Sequence, residues 1–436
     1  MDDRPMRLAA ALALTVTHFA ITGKALASGF QLRENSAAAL GNAFAGAAVS
    51  SEDPSIIANN PAGMTGLSGN QLSGDLSIVI PSAVFAGMGL NAARQPIEGG
   101  NGGNAGGARP VPAAYGLYDA SPDLKFGLAV TAPFGLATQY NSGWVGRYQA
   151  IKSDLEVVNI NPNVAYRITN WLSVGAGPAL QHTSAELTNA INSTAVAHFA
   201  NPLLPAGLTF DDGFARVTGH SWSIGYNLGI LAEISPAARL GASYRSQISQ
   251  RLNGSATFNV PAPFVLDPRF QYTSTRTDLT TPDEVTLAGS YQVSPDLTLL
   301  AEAQWTNWSV IKNLQVLRTD GSVVTQQPEQ WHGTWFGSIG ASYVPSANWT
   351  IRGGFAFDPT PVRDQFRTAR LPDSDRYWLA AGIGYRWTAN LRFDAAYVHI
   401  FVGNVPINEL SQTGDLLVGH YSNHIDILSL SAVYRF

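Results

Sequence analysis

Residues 28–64 read SGFQLRENSAAALGNAFAGAAVSSEDPSIIANNPAGM. The stretch has no strand alternation and is rich in Ala, Gly, Ser and Asn. Its larger apolar side chains are few, mainly Phe30, Leu32, Leu40, Phe44, Ile56 and Ile57. Such a segment is too poor in apolar bulk to build a globular core, but it can fill a polar tube. It reads as a plug, and a plug needs a barrel around it.

Upstream, Arg4 and Arg7 precede the mostly apolar residues 8–20, and Ala25-Leu26-Ala27 offers a small-x-small cleavage site. Residues 1–27 are therefore expected to be a cleaved secretory signal peptide. The alternative is a membrane anchor, but the apolar run stops at Lys24 and is short for a spanning helix. The acidic pair Asp2-Asp3 is atypical of a leader and leaves the true start open.

Downstream no segment offers about 18 consecutive uncharged apolar residues, the length of a transmembrane helix. Charged residues make up only 13% of the chain, aromatics 10%, and Gly accounts for 42 positions. Soluble domains carry about 25% charged residues. Low charge, frequent aromatics and no helix-length apolar run point to a membrane β-barrel, with a secreted soluble β-protein as the alternative. Cysteine is absent, which excludes disulfides, thiol chemistry and cysteine-bound zinc. The leader holds Arg4, Arg7 and Lys24 against Asp2 and Asp3, so removing it takes the net charge from −5 to −6. Nothing in that balance points to nucleic acid.

Six short polar turns interrupt long alternating runs: Ser121-Pro122-Asp123, Thr169-Asn170, Ser235-Pro236-Ala237, Ser294-Pro295-Asp296, Pro345-Ser346-Ala347-Asn348 and Thr388-Ala389-Asn390. Pro, Asn, Asp and Ser set turn geometry, and β-branched and aromatic residues flank each turn. Six hairpins give twelve strands. One more near Gln71 to Pro81 and one at the chain end make fourteen. The intervening connections are long, near 82–111, 134–149, 191–213, 259–281, 319–329, 359–375 and 403–422. An even strand number puts both ends with the short turns, which bacterial barrels keep in the periplasm. In the last strand Leu428, Leu430, Ala432, Tyr434 and Phe436 share one face, while Ser429, Ser431 and Arg435 share the other. The apolar face is expected to meet lipid. Trp171, Trp349, Trp387 and Tyr434 at strand ends suit interfacial girdles. The expected architecture is thus all-β: a 14-stranded antiparallel transmembrane β-barrel over residues 71–436, with residues 28–70 as an N-terminal hatch inside the lumen. Gly99 to Gly107 reads as a low-complexity surface loop.

Several blocks resemble the FadL-type outer-membrane transporters of long-chain fatty acids, a family that also includes aromatic-hydrocarbon importers. Ser28-Gly29-Phe30-Gln31-Leu32, the run at 41–46 (GNAFAG) and Asn60-Pro61-Ala62 look like that family's N-terminal hatch. The block at 134–140 (FGLATQY), followed by Trp144-Val145-Gly146-Arg147-Tyr148, is similar to its third-strand region. The resemblance implies passive transport of long-chain fatty acids or similar hydrophobic molecules, without cofactors. Ligand would be captured by apolar outer loops and held in an internal pocket. It would be released by movement of the hatch N-terminus and leave sideways into the outer membrane at a kinked third strand. It implies an outer-membrane location, a monomer, outer-membrane lipid as surroundings, and a terminal Phe436 that resembles the signal read by the barrel assembly machinery.

Candidate residues follow. Phe30 would be the moving tip of the hatch, with Asn60, Pro61 and Ala62 at its fixed base; an ordinary turn is the alternative for the latter. Pro133, Phe134 and Gly135 interrupt the third strand. Proline removes a ladder bond and glycine tolerates unusual backbone, so a bulge and lateral opening are expected there, unless the strand simply ends at Ala132. Phe199, Leu203, Leu204, Phe264 and Leu266 make two outer loops unusually apolar, as a ligand groove would be; they would otherwise pack on each other as a cap. A carboxylate ligand would favour a guanidinium or ammonium, for which Arg245, Arg147 and Lys152 are candidates. Barrel lumens also contain structural ion pairs, with Glu302 and Asp394 as potential partners.

Three rival functions are distinct. A hydrolase would need His182, His220, His332, His399, His420 or His424 as a base, but none sits in a recognisable catalytic or metal-ligating spacing, so no catalytic or metal residues are assigned. A nonspecific aqueous porin conflicts with a plug. An adhesive barrel would depend on its loops and not on a lumen.

Overall fold

The computed structural model describes residues 29–205 and 207–436; the expected signal peptide and Ser28 lie outside the described residues. Among them are nineteen strand segments: β1 (Gln71–Leu90), β2 (Arg109–Asp119), β3 (Leu124–Gln139), β4 (Lys152–Thr169), β5 (Leu172–Ile191), β6 (Gly213–Ser235), β7 (Ala238–Arg245), β8 (Ile248–Asn259), β9 (Thr273–Thr281), β10 (Glu284–Ser294), β11 (Leu297–Thr306), β12 (Asn313–Arg318), β13 (Val323–Pro328), β14 (Thr334–Ser346), β15 (Trp349–Asp358), β16 (Arg376–Arg386), β17 (Leu391–Val402), β18 (Val405–Leu410) and β19 (Leu416–Arg435). Five consecutive pairs, β7/β8, β9/β10, β11/β12, β13/β14 and β17/β18, are single barrel strands interrupted by short breaks. The result is the expected fourteen-stranded antiparallel barrel. β1 closes it on β19, in register from Gln71 opposite Arg435 to Leu90 opposite Leu416. Among the described residues no helix is long and apolar enough to cross a membrane.

All six polar turns join neighbouring strands at one end of the barrel. The strands run further than the turn count implied. β1 continues past Pro81 to Leu90, β3 past Ala132 to Gln139, and residues 403–422 hold β18 hairpinned onto β19. Their outer ends alternate through small residues such as Ala83, Gly87 and Gly89, a composition that imitates loop.

Polarity is inverted relative to a soluble protein. On β19, Leu428 and Leu430 are 51% and 64% exposed, whereas Ser429 and Ser431 are buried. The apolar face meets lipid and the polar face meets the lumen contents.

The N-terminal segment before β1 lies inside the barrel, folded as two short helices, α1 (Ala37–Gly41) and α2 (Ile56–Asn59), and a 3-10 turn at Pro61–Gly66. Ser36 caps α1 by accepting from Ala39 N–H, and Ala37 N–H donates to Asp75 of β1 at 3.0 Å. Inward glycines let the two backbones approach. A side chain at Gly229 would stand 2.0 Å from Asn60 Oδ1, and one at Gly354 would stand 2.2 Å from the Asn42 carbonyl.

Charge fixes the base of this segment. Arg352 donates to Asp394 at 2.9 Å and pairs with Glu52, while Arg392 reaches Asp394 at 2.8 Å and Asp53 at 3.1 Å. Arg352 and Asp394 are both buried, and removing one member of a buried ion pair leaves an uncompensated charge. Arg352→Ala is expected to lower unfolding stability by about 3 kcal/mol, measured by urea unfolding in lipid vesicles. Glu302, a candidate for such a pair, instead accepts from Ala48 N–H at 3.0 Å and so also holds the inner segment.

Candidate functional site

The irregularity expected in the third strand is a bulge. Thr131 faces Asn159 of β4 but Phe134 faces Val157, so β3 carries one extra residue at Ala132–Pro133. A bulge in a lipid-facing wall strands backbone groups that hydrocarbon cannot satisfy. Here the start of the N-terminal segment supplies partners. Leu32 N–H donates to the Pro133 carbonyl at 2.8 Å, and Gly135 N–H donates to the Phe30 carbonyl at 2.8 Å. Gln31 and Phe134 thereby form an antiparallel bridge. The segment adds a short strand to the break.

Phe30 is buried in an aromatic cluster, with ring centroids 5.7 Å from Phe134, 5.0 Å from Trp308 and 5.6 Å from Trp331. Trp308 follows β11 and Trp331 precedes β14, so strand interruptions bring both into the lumen. Gly29 N–H donates to Asp373 at 3.1 Å, tying the segment's start to the loop before β16.

Two cavities adjoin successive residues of this segment. On one side a cavity of about 1110 Å³ is lined by Phe30, Leu136, Leu155, Leu252, Leu279 and Trp331, among other apolar residues. On the other a chamber of about 720 Å³ is polar, lined by Arg33, Arg245, Glu284, Glu302 and Gln304, and it abuts Thr131, Ala132 and Pro133 at the bulge. Gln31 and Gln304 both donate to Glu284 at 2.9 Å across its floor. Phe30 lines the first cavity and residues 31–33 line the second.

Asn60 carries three hydrogen bonds. Its Nδ2 donates to the carbonyls of Ala48 at 2.8 Å and Ile230 at 3.0 Å, and its Oδ1 accepts from Ala62 N–H at 3.1 Å. Pro61 opens the following turn, where a missing N–H costs nothing. The triplet therefore ties the inner segment to β6.

The cation candidates lie elsewhere. Arg245 donates to the Ala58 carbonyl at 3.2 Å and faces the polar chamber. Arg147 pairs with Asp212 at 2.6 Å, and Lys152 with Glu186 at 2.9 Å and Asp154 at 3.2 Å. None lines the apolar cavity. Among the described residues the cation that does is Arg370, in the loop between β15 and β16. Its hydrogen-bond acceptors are neutral: Ser153 Oγ at 3.1 Å, the Lys152 carbonyl at 3.3 Å and Asn189 Oδ1 at 3.3 Å.

Of the loop residues, Phe199, Leu203 and Leu266 are 78%, 92% and 89% exposed. Phe264 is not exposed. It packs with Val196 and Ala197 of α3 (Ser193–Ala200), against Leu204, Phe210 and Phe270. Apolar loop composition thus serves two ends: a small core joining the loops, and a rim projecting from it. Sequence alternation distinguishes lipid from lumen on strands but carries no such information in loops. Among the described residues no group of three or more potential metal ligands is found.

These features define a class: an outer-membrane transport barrel whose lumen is filled by its own N-terminal segment and holds an apolar internal cavity. Residues 18–436 match the family described as outer membrane protein transport protein (OMPP1/FadL/TodX). The chain belongs to that family. It is 32% identical to the Neisseria meningitidis serogroup B protein NMB0088, which carries an outer-membrane designation, over 94% of this chain and 95% of that one. It is 26% identical to the long-chain fatty acid transport protein of Escherichia coli K12, with the same coverage. The crystal structure of a Pseudomonas aeruginosa FadL homologue superposes with a TM-score of 0.88 at 25% identity, covering 94% of this chain and all of that one. The protein is an outer-membrane transporter of hydrophobic compounds and not an enzyme.

Proposed function

We propose that the transported compounds are long-chain carboxylates, and that Phe30 and the bridge between Gln31 and Phe134 gate them. The observation that carries this reading is the position of the N-terminal segment. The same four residues, Phe30 to Arg33, border the apolar cavity and the polar chamber in turn and complete the broken wall at Pro133. One displacement would open both. Ligand captured at Phe199, Leu203 and Leu266 would settle in the apolar cavity with its carboxylate at Arg370, then leave sideways beside Pro133, Phe134 and Gly135. Asn60, Pro61 and Ala62 hold the base still while the tip moves. The protein works as a monomer, since each step uses one barrel. An alkyl chain with a carboxylate suits a cavity with a largely apolar lining in which Arg370 is the one cation, beside Asp154, Asp278 and Glu329; a toluene-sized aromatic would leave Arg370 without use.

The test is saturable binding of a long-chain fatty acid to the detergent-solubilised protein, beside conductance in planar bilayers. Binding with small conductance supports the reading. Large, solute-size-dependent conductance without binding would indicate an aqueous porin. Replacing the rim in Phe199→Ser/Leu203→Ser/Leu266→Ser is expected to slow initial uptake several-fold at low ligand concentration while leaving equilibrium binding unchanged, because the rim affects capture and not the cavity.

A further inference from the structure

The wall has a second break, one strand beyond the bulge. Along β4 and β5 the ladder pairs Ile160 with Leu180 and resumes at Val164 with Ala176, in unchanged register. The three positions between are unpaired, although no residue has been inserted. At their centre Pro162 stands opposite Pro178.

In an antiparallel pair, facing residues exchange either both backbone bonds or neither. Both proline carbonyls turn into the seam. Asn161 Nδ2 donates to the Pro178 carbonyl at 2.6 Å, and the Pro162 carbonyl lies where a Cβ at Gly177 would be, 2.0 Å away. The pair at 162 and 178 is thus one that would exchange two bonds, and proline deletes both donors. Lipid-facing residues flank the gap on both sides: Ile160 and Leu180 above, Val164 and Ala176 below. Proline is confined to edges and bulges in ordinary sheets, so two facing prolines at this depth are a costly placement.

Behind the gap the lumen side is polar. Asn161 also donates to Asn227 at 3.0 Å, and Asn163 donates to the Asn161 carbonyl at 3.0 Å. Asn159 Oδ1, Asn163 Oδ1 and Asn227 Nδ2 are buried without hydrogen-bond partners. Asn227 lines the same polar chamber as Ala132 and Pro133. That chamber therefore faces a stretch of wall weakened twice, at the β3 bulge and at the proline seam, with β4 held between them.

We infer that Pro162, Pro178 and Asn161 form the yielding edge of the exit: β4 moves away from β5 at this seam when a hydrophobic ligand passes out of the chamber into the bilayer. The inference rests on the lateral-exit reading above. Without the seam, opening at the bulge would have to bend a β4 fully bonded to β5. With it, β4 swings on the unbonded stretch, and of the unpaired asparagines behind it Asn227 already lines the chamber.

The test restores the ladder. Pro162→Val/Pro178→Val supplies both missing donors and is expected to slow cellular uptake of a long-chain fatty acid about tenfold, since each restored bond favours the closed wall. Binding to the solubilised protein should be unchanged. Heat-modifiable migration on gels confirms that each variant is a folded barrel. A parallel arm pins the N-terminal segment to β3. If pinning blocks uptake while the valine variant transports at the parent rate, the seam is not used and the inference is overturned, the exit at β3 standing. If pinning itself leaves uptake intact, lateral exit fails and the seam inference fails with it.

Discussion

A disulfide between positions 31 and 134 is expected to reduce uptake to background, and a reductant to restore it. Gln31 and Phe134 form the pair enclosed by the bonds from Leu32 to Pro133 and from Gly135 to Phe30. That is the non-hydrogen-bonded type of antiparallel pair, with Cα atoms about 4.5 Å apart, inside the roughly 4.4–6.8 Å span a disulfide accepts. The chain has no cysteine, so Gln31→Cys/Phe134→Cys creates one possible intramolecular bond. Oxidation would fasten the tip of the N-terminal segment to the bulge and keep Phe30 between the two cavities. Ligand should still bind the apolar cavity, because none of its other lining residues is altered. Losing the Phe134 ring loosens the cluster around Phe30, an effect present equally in the reduced protein, so the oxidised-to-reduced ratio isolates the gate. Equal transport in both states would exclude movement of this segment as the opening step.

The break that this experiment fastens was legible in the sequence, though its partner Gln31 was not, and the reason is physical. Thr131-Ala132-Pro133-Phe134-Gly135 places a residue without an N–H and a residue without a Cβ inside an alternating run, a combination that ordinary ladder geometry rejects. The strands were legible for a related reason. A barrel wall has lipid on one side and a packed lumen on the other, so alternation in segments such as β16 and β19 is imposed by two different surroundings. Asp394 was legible as a lumen carboxylate, but its partners were not: Arg352 meets Glu52 and Asp394 through three separate chain segments. The same limit hid Trp308, Trp331 and Arg370. Each sits in a break or loop, where no period tells inside from outside, and the apolar cavity is assembled from residues as distant as Phe30 and Leu371. The prolines at 162 and 178 were visible singly, but their opposition appears only once the register of β4 against β5 is known.

Arg370 gives the second large effect. Arg370→Gln should weaken binding of a long-chain carboxylate by about 10- to 100-fold, as expected for losing a charge-assisted hydrogen bond in an apolar site. The matching long-chain alcohol should bind both proteins alike. Quenching of Trp331, at the cavity wall, or calorimetry would measure either ligand. The acid–alcohol contrast matters because glutamine also changes packing, and a packing change would weaken both. Should Arg370→Gln weaken acid and alcohol equally, the carboxylate is held elsewhere and Arg370 is a structural bond between the loop and Ser153.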